Sequence, residues 1–214
     1  MTHRAALLAT RIATLALVVL VSACGSPRES AVAPGSAVLV IGDSITAGYG
    51  IDPAYAWPAR LATRTGWNVT GAGVNGDRSA GGRDRLPALL DAHAPALVII
   101  ELGGNDLLAR VPPADIVANL DAMIDTARSH GARVALMAAP QPSAVGIVTG
   151  LSAAGFYREL AQRRKIILIE KALPAVLSNA SLKIDALHPN VDGHRALAER
   201  AAAELAEAGV IGGR

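Results

Sequence analysis

Residues 38–41, 97–102, 133–137 and 166–169 are short runs with hardly a polar side chain among them. A strand that shows no polar face is one covered on both sides, which is the situation of a parallel sheet packed between helices. The intervening stretches carry helical spacing. Residues 57–65 read as a helix with Pro58 tolerated in its first turn, and 83–92 as a helix despite Pro87. Residues 113–130 place Ile116, Leu120, Ile124 and Ala127 on one stripe and end at Gly131. Segments 151–164 and 193–208 supply two more helices, and 67–70 a weaker strand. Strand–helix alternation of this kind predicts an α/β sandwich around a central parallel sheet. A length of 214 residues suits one domain. The chain is 51% hydrophobic but only 3% aromatic, so its core must be built from Ala, Val, Leu and Ile, with Ala-rich helices lying close to the sheet.

The N-terminal 23 residues read differently. Arg4 and Arg11 precede an apolar run at 12–21 that is too short to span a bilayer unaided. The run ends in Val21-Ser22-Ala23-Cys24, which resembles the bacterial lipobox and implies a diacylglycerol thioether on Cys24, with the protein exported and lipid-anchored to a membrane of the cell envelope. Cys24 is the only cysteine, which excludes an internal disulfide and a structural zinc cluster of cysteines. The expected organisation is a signal peptide over 1–23, a lipidated N-terminus and flexible tether over 24–36, and a single folded domain over 37–214. Without residues 1–23 the chain holds 18 basic and 18 acidic residues, so its basic isoelectric point belongs to the leader and argues against nucleic-acid binding.

Ligands of parallel α/β sheets bind beyond the carboxyl ends of the strands. Four sequence blocks fall on such loops: Gly42-Asp43-Ser44-Ile45-Thr46 after the first strand, Val74-Asn75-Gly76-Asp77 after the second, Gly103-Gly104-Asn105-Asp106 after the third, and Asp185-Ala186-Leu187-His188 before the last helix. Ser44 is the candidate nucleophile, on a strand–turn–helix connection that exposes its hydroxyl and aims the following helix dipole at it. A serine in that place also serves as an ordinary helix cap. His188 is the candidate general base and Asp185, three residues earlier, the group that orients it and stabilises the imidazolium. Asp185 could equally cap a turn, and His194 is a rival base. The N–H groups of Ser44 and Gly76 and the Asn105 amide are candidate oxyanion donors, each worth about 3 kcal/mol of barrier. Taken singly, Gly76 and Asn105 read as turn formers.

Taken together, the Ser44, Gly76, Asn105 and Asp185/His188 blocks resemble those of the SGNH hydrolases, also called GDSL esterases and lipases, over about residues 37–208. Ala56-Trp57-Pro58 and the run 85–90 (Arg-Leu-Pro-Ala-Leu-Leu) add to the likeness, which is strongest to the bacterial acyl-thioesterase, arylesterase and lysophospholipase branch. The resemblance implies a flavodoxin-like three-layer αβα sandwich, a serine mechanism with no cofactor or metal, and hydrolysis of carboxylic esters or thioesters through an acyl-enzyme on Ser44, lysophospholipids included. Other readings are a carbohydrate O-deacetylase of the envelope and a non-catalytic envelope binding lipoprotein. Two departures bear on substrate choice. The second block reads Gly-Ala-Gly-Val-Asn-Gly, where that branch usually shows Asn and Ser at particular places, and the loop at 138–150 is rich in small residues and Pro.

Overall fold

The computed structural model describes residues 31–143 and 150–212. Cys24 and the leader lie outside them. Five strands, β1 (Ala37–Gly42), β2 (Asn68–Gly73), β3 (Leu97–Glu101), β4 (Arg133–Met137) and β5 (Ile167–Ile169), form one sheet in the order β2-β1-β3-β4-β5. Every neighbouring pair is parallel. This is the flavodoxin-like order, and the chain reverses its direction of travel across the sheet between β1 and β3.

Alternation along the strands divides the core into two layers. Val38 and Val40, Leu97 and Ile99, Ala135 and Met137, and Ile167 and Ile169 face one side. Helices α2 (Trp57–Thr65), α7 (Ala172–Leu177) and α8 (Val191–Glu207) cover that side with Trp57, Leu61, Leu173, Val176, Leu197, Ala201 and Leu205. Leu39 and Ile41, Val98 and Ile100, and Val134 and Leu136 face the other. There α3 (Ser79–His93), α5 (Pro113–Ser129) and α6 (Gly155–Arg164) supply Leu86, Leu90, Ile116, Leu120, Met123, Tyr157 and Leu160. Each fully buried Leu or Ile contributes about 1.5–3 kcal/mol relative to exposure, so the two layers hold the sheet as a rigid platform. Two single-turn helices, α1 (Ser44–Ala47) and α4 (Gly104–Leu108), sit directly on the carboxyl ends of β1 and β3. The incoming chain is pinned at the opposite end of the sheet, where Val32 N donates to Val210 O and Gly35 N to Gly66 O.

The strand–helix alternation read from the sequence is the observed one, with differences at the element ends. The weaker strand runs over Asn68–Gly73 and pairs along the whole length of β1. Trp67 drops into the core instead, its indole N–H donating to Val32 O at 3.1 Å. Helix α3 starts four residues before the expected 83, because the Asp106 carboxylate, from a distant loop, accepts the N–H of Ser79 at 2.8 Å and its hydroxyl at 2.7 Å. The helix expected over 151–164 begins only at Gly155, and the last helix begins at Val191 with Asn190 as its cap. Helix α7, six residues of Ala, Leu, Pro and Val, is too short for a periodic signal.

Candidate active site

β1 delivers the first block. Gly42 ends the strand where a side chain has no room: a Cβ there would lie 2.1 Å from Thr46 Oγ1 and 2.6 Å from Glu101 Oε2. Asp43 caps α1 by accepting Ile45 N–H at 2.9 Å. Gly48, left-handed at φ 76°, ends the helix after a single turn. A four-residue helix carries little macrodipole. What it offers an anion is therefore the N–H of Ser44, since that of Ile45 is held by Asp43, rather than the helix dipole expected from the sequence.

Ser44 is buried, and its Oγ lies 3.0 Å from His188 Nε2. His188 Nδ1 lies 2.8 Å from Asp185 Oδ2 and 3.1 Å from Oδ1. An ionised carboxylate only accepts, so Nδ1 carries the proton and Nε2 turns its lone pair to the serine hydroxyl. Asp185 Oδ1 also accepts the N–H of Leu187 at 2.7 Å and of His188 at 2.8 Å. Led by the bond from the His188 ring, these donors hold the carboxyl down at about 2, although the side chain is largely in solvent. The loop is fixed at its base by Ile184 N to His188 O and Asn190 N to Leu182 O. Tyr49 lies against the imidazole, ring centroids 4.4 Å apart.

His194, the rival base, is fully buried on α8, where its Nδ1 accepts Trp57 N–H at 3.2 Å. Burial, with help from the Arg60 and His188 charges, pushes it down to about 4, so it is a neutral core imidazole that ties α8 to α2.

Asn105 opens α4, and its amide nitrogen donates to Asp43 Oδ2 and to Asp77 O, each at 3.0 Å. Both hydrogens are thus engaged by protein, and an oxyanion must share one of them or displace its acceptor. Gly76 lies one residue before Asp77, exposed and left-handed at φ 74°. A Cβ there would meet nothing within 4 Å, so backbone conformation, not space, selects glycine. The Gly76 N–H makes no hydrogen bond to the described residues.

The second block is held by Arg85, which the sequence reading placed only within a run shared with relatives. Its Nε donates to Asp77 Oδ2, Nη1 to Ala72 O and Nη2 to Gly42 O, all at 2.8 Å. One guanidinium therefore ties the ends of β1 and β2 to the loop carrying Gly76. Tyr157 O–H donates to Leu102 O at 2.8 Å and supports the turn into the third block. Asp43, Glu101, Arg85, Asp106 and Tyr157 had no assigned role in the sequence reading. The available signal was an ionisable residue, Glu101, closing the wholly apolar run 97–100.

Beside Ser44 opens a cavity of about 610 Å³. Its walls include Ile45, Leu108, Pro140, Leu151, Leu173 and Leu177, with Asn105 and His188 at the reacting end. This is the size and apolar character of a small-ligand site. The arrangement can take a proton from Ser44, hold the resulting imidazolium, and offer N–H donors to a carbonyl oxygen while apolar walls receive an acyl chain.

Comparison with known proteins bears on that chemistry. The sequence model of the GDSL-like Lipase/Acylhydrolase family matches residues 40–196. The chain is 38% identical over 163 residues to Esterase TesA of Pseudomonas aeruginosa, covering 73% of this chain and 81% of that protein. It is 34% identical over 201 residues to an arylesterase of Vibrio mimicus (91% and 97% covered). It is 32% identical over 178 residues to thioesterase 1/protease 1/lysophospholipase L1 of Escherichia coli K12 (81% and 85%). Among solved structures, a crystal structure of TesA superposes with a TM-score of 0.73 at 34% identity, covering 81% of this chain and 99% of that one. The SGNH-hydrolase family esterase AlinE4 superposes with 0.64 at 30% identity (83% and 98%).

Proposed function

The chain belongs to the GDSL-like lipase/acylhydrolase family, and on that premise we propose that it hydrolyses carboxylic esters and thioesters by acyl transfer through Ser44. The observation that carries the reading is the relay from Ser44 Oγ to His188 Nε2 at 3.0 Å and from His188 Nδ1 to Asp185 at 2.8 Å, at the end of an apolar cavity. Ser44 attacks the acyl carbon as His188 takes its proton. The N–H groups of Ser44 and Gly76 and the Asn105 amide receive the oxyanion. The imidazolium then protonates the leaving alcohol or thiol, and water, deprotonated by His188, releases the acid from the acyl-enzyme. A cavity of this volume favours acyl chains longer than acetate, lysophospholipid acyl groups among them, over the O-acetyl groups of polysaccharide. A fluorophosphonate probe tests the nucleophile: wild type should carry one adduct on Ser44. A series of p-nitrophenyl esters tests the cavity: kcat/KM should peak beyond acetate. An optimum at acetate would turn the reading toward a deacetylase, and an unlabelled folded protein would turn it toward a binding module.

The same proposal extends to where the enzyme works. Val21-Ser22-Ala23-Cys24 supports a lipid anchor on Cys24 and a place in the cell envelope. Cys24→Ser should move the protein from the membrane to the soluble fraction and abolish its labelling by radioactive palmitate. A Cys24→Ser protein still bound to membranes would remove the anchor from the proposal without touching the chemistry.

A further inference from the structure

Large apolar side chains that face solvent are confined to one end of the molecule. Among the described residues seven are between 41% and 51% exposed, and every one stands on a connection at the carboxyl ends of the strands. Tyr49 and Tyr55 come from the α1–α2 connection and Val74 from the loop after β2. Leu108 ends α4, Ile184 and Leu187 belong to the loop that carries His188, and Val191 opens α8. Four of the seven border the opening itself. Leu108 and Leu187 line the cavity, and Tyr49 lies against the His188 ring. Ile184 reaches the residue after Tyr49: a Cβ on Gly50 would lie 2.4 Å from its Cδ1. Tyr55, Val74 and Val191 line no part of the cavity, so the apolar ring is wider than the entry of a dissolved substrate needs. A ring of this kind left open to water marks a surface that meets something else.

Charge decides what that is. Arg60, Arg78, Arg110, Lys171 and Lys183 share this end and form no ion pair with a described residue. Most acids there are already engaged. Asp43, Glu101 and Asp106 are buried, Asp77 pairs with Arg85 at 2.8 Å, Glu170 with Arg158 at 2.7 Å and Asp192 with Arg195 at 3.1 Å, and Asp185 serves His188. Asp52 and Asp115 remain exposed without a cation. The chain beyond the leader is electrically balanced, so this end holds an excess of positive charge that the rest of the surface offsets. An apolar ring among unpaired cations complements a layer that offers hydrocarbon beneath anionic headgroups. A second copy of this chain is a poorer match, because the same cations would meet each other. We propose that the carboxyl-end loops form a docking surface for an anionic phospholipid layer, with the ring at the boundary of headgroups and acyl chains and the unpaired cations on the phosphates. The inference rests on the acyl-hydrolase reading above and adds where that site meets its substrate: an acyl ester passes from the layer into the cavity without crossing water.

Co-sedimentation with vesicles tests the surface without turnover. The protein is the chain from residue 24 carrying Cys24→Ser, which keeps every described residue and brings neither leader nor acyl chains to the lipid. The vesicles are equal parts phosphatidylglycerol and phosphatidylcholine, with phosphatidylcholine alone as the control. The protein should sediment with the anionic vesicles, bind the neutral ones more weakly, and come off as salt rises. Tyr55→Ser combined with Val191→Ser should lower the partition coefficient about tenfold. Arg78→Gln combined with Arg110→Gln should lower it by about the same factor. These four side chains lie outside the cavity, so both double variants should keep the parent kcat/KM on a dissolved p-nitrophenyl ester and label as fully with the fluorophosphonate. Protein left in the supernatant, equal binding to the two vesicles, or a partition that either double variant leaves unchanged overturns the proposal. So does self-association in sedimentation velocity that Tyr55→Ser with Val191→Ser abolishes, which assigns the ring to a second copy. Failure to label at Ser44 with vesicle binding intact condemns the acyl-hydrolase reading instead, so the two failures are distinguishable.

Discussion

Asp43 and Asp185 are both carboxyl groups one hydrogen bond from a side chain of the reaction, and the fold treats them in opposite ways. Asp43 lies under the sheet's edge beside Ser44 and Asn105, and burial pushes it up to about 6. Asp185 stands largely in solvent on a loop, and three donors from its own neighbourhood hold it down at about 2. The nucleophile half is thus built from buried groups contributed by distant segments on rigid strand ends. The acid–base half is a local turn, fixed by bonds spanning two to eight residues. Precision comes from the platform on one side and from short-range chemistry on the other. The negative charge beside His188 is constant over the working pH range, whereas the charge beneath Ser44 is the one that titrates.

The comparison can be broken first at the nucleophile. Ser44→Ala should lower kcat by about 10⁶-fold, as removal of a triad serine does elsewhere, with melting temperature little changed. Asn105→Ala should lower kcat by about 10²–10³-fold with a small change in KM, the cost of one oxyanion donor. Asp185→Asn sharpens the contrast between the halves: a drop of about 10²-fold in kcat is expected, less than the 10⁴-fold of a buried triad aspartate, because solvent already reaches the exposed Asp185 position and supports the imidazolium there. A loss as large as for the buried case would show that the loop closes over substrate. The smallest effect is on stability. Asp185, depressed in the fold, contributes stability that is complete above about pH 4 and lost as pH falls through about 2. Asp43, raised in the fold, contributes stability that is complete below about pH 4 and lost as pH rises through about 6. Melting temperature against pH should therefore lose its acid-side fall in Asp185→Asn and part of its fall between about pH 4 and 6 in Asp43→Asn.

What the sequence made legible follows the same division. The strands showed because apolar runs such as 97–100 have no second reading in an α/β chain. Asp185 and His188 showed because a triad partner three residues away leaves its mark in the spacing. The supports of the nucleophile did not show. The Thr46–Glu101 hydrogen bond, the Asp106 cap on Ser79 and the threefold grip of Arg85 join residues up to 55 positions apart. Such contacts exist only once parallel pairing has put the ends of β1, β2 and β3 side by side. Helix α1 was legible as a helix but not as a single turn, because its stop at Gly48 depends on a left-handed backbone that Gly-Tyr-Gly does not announce.

The pinning of Val32 against Val210, at the amino end of the sheet, fixes how a tethered molecule would hang. Were Cys24 held in a bilayer, the seven links to Ala31 would give a leash of at most roughly 25 Å. The folded body is about 40 Å across. Suspended so, it would hang with the carboxyl ends of its strands, and the opening they carry, turned away from the leaflet that holds it. Its acyl donors would have to arrive from the aqueous gap or from the facing layer of the envelope, and the lipids nearest to it would be the ones it leaves alone.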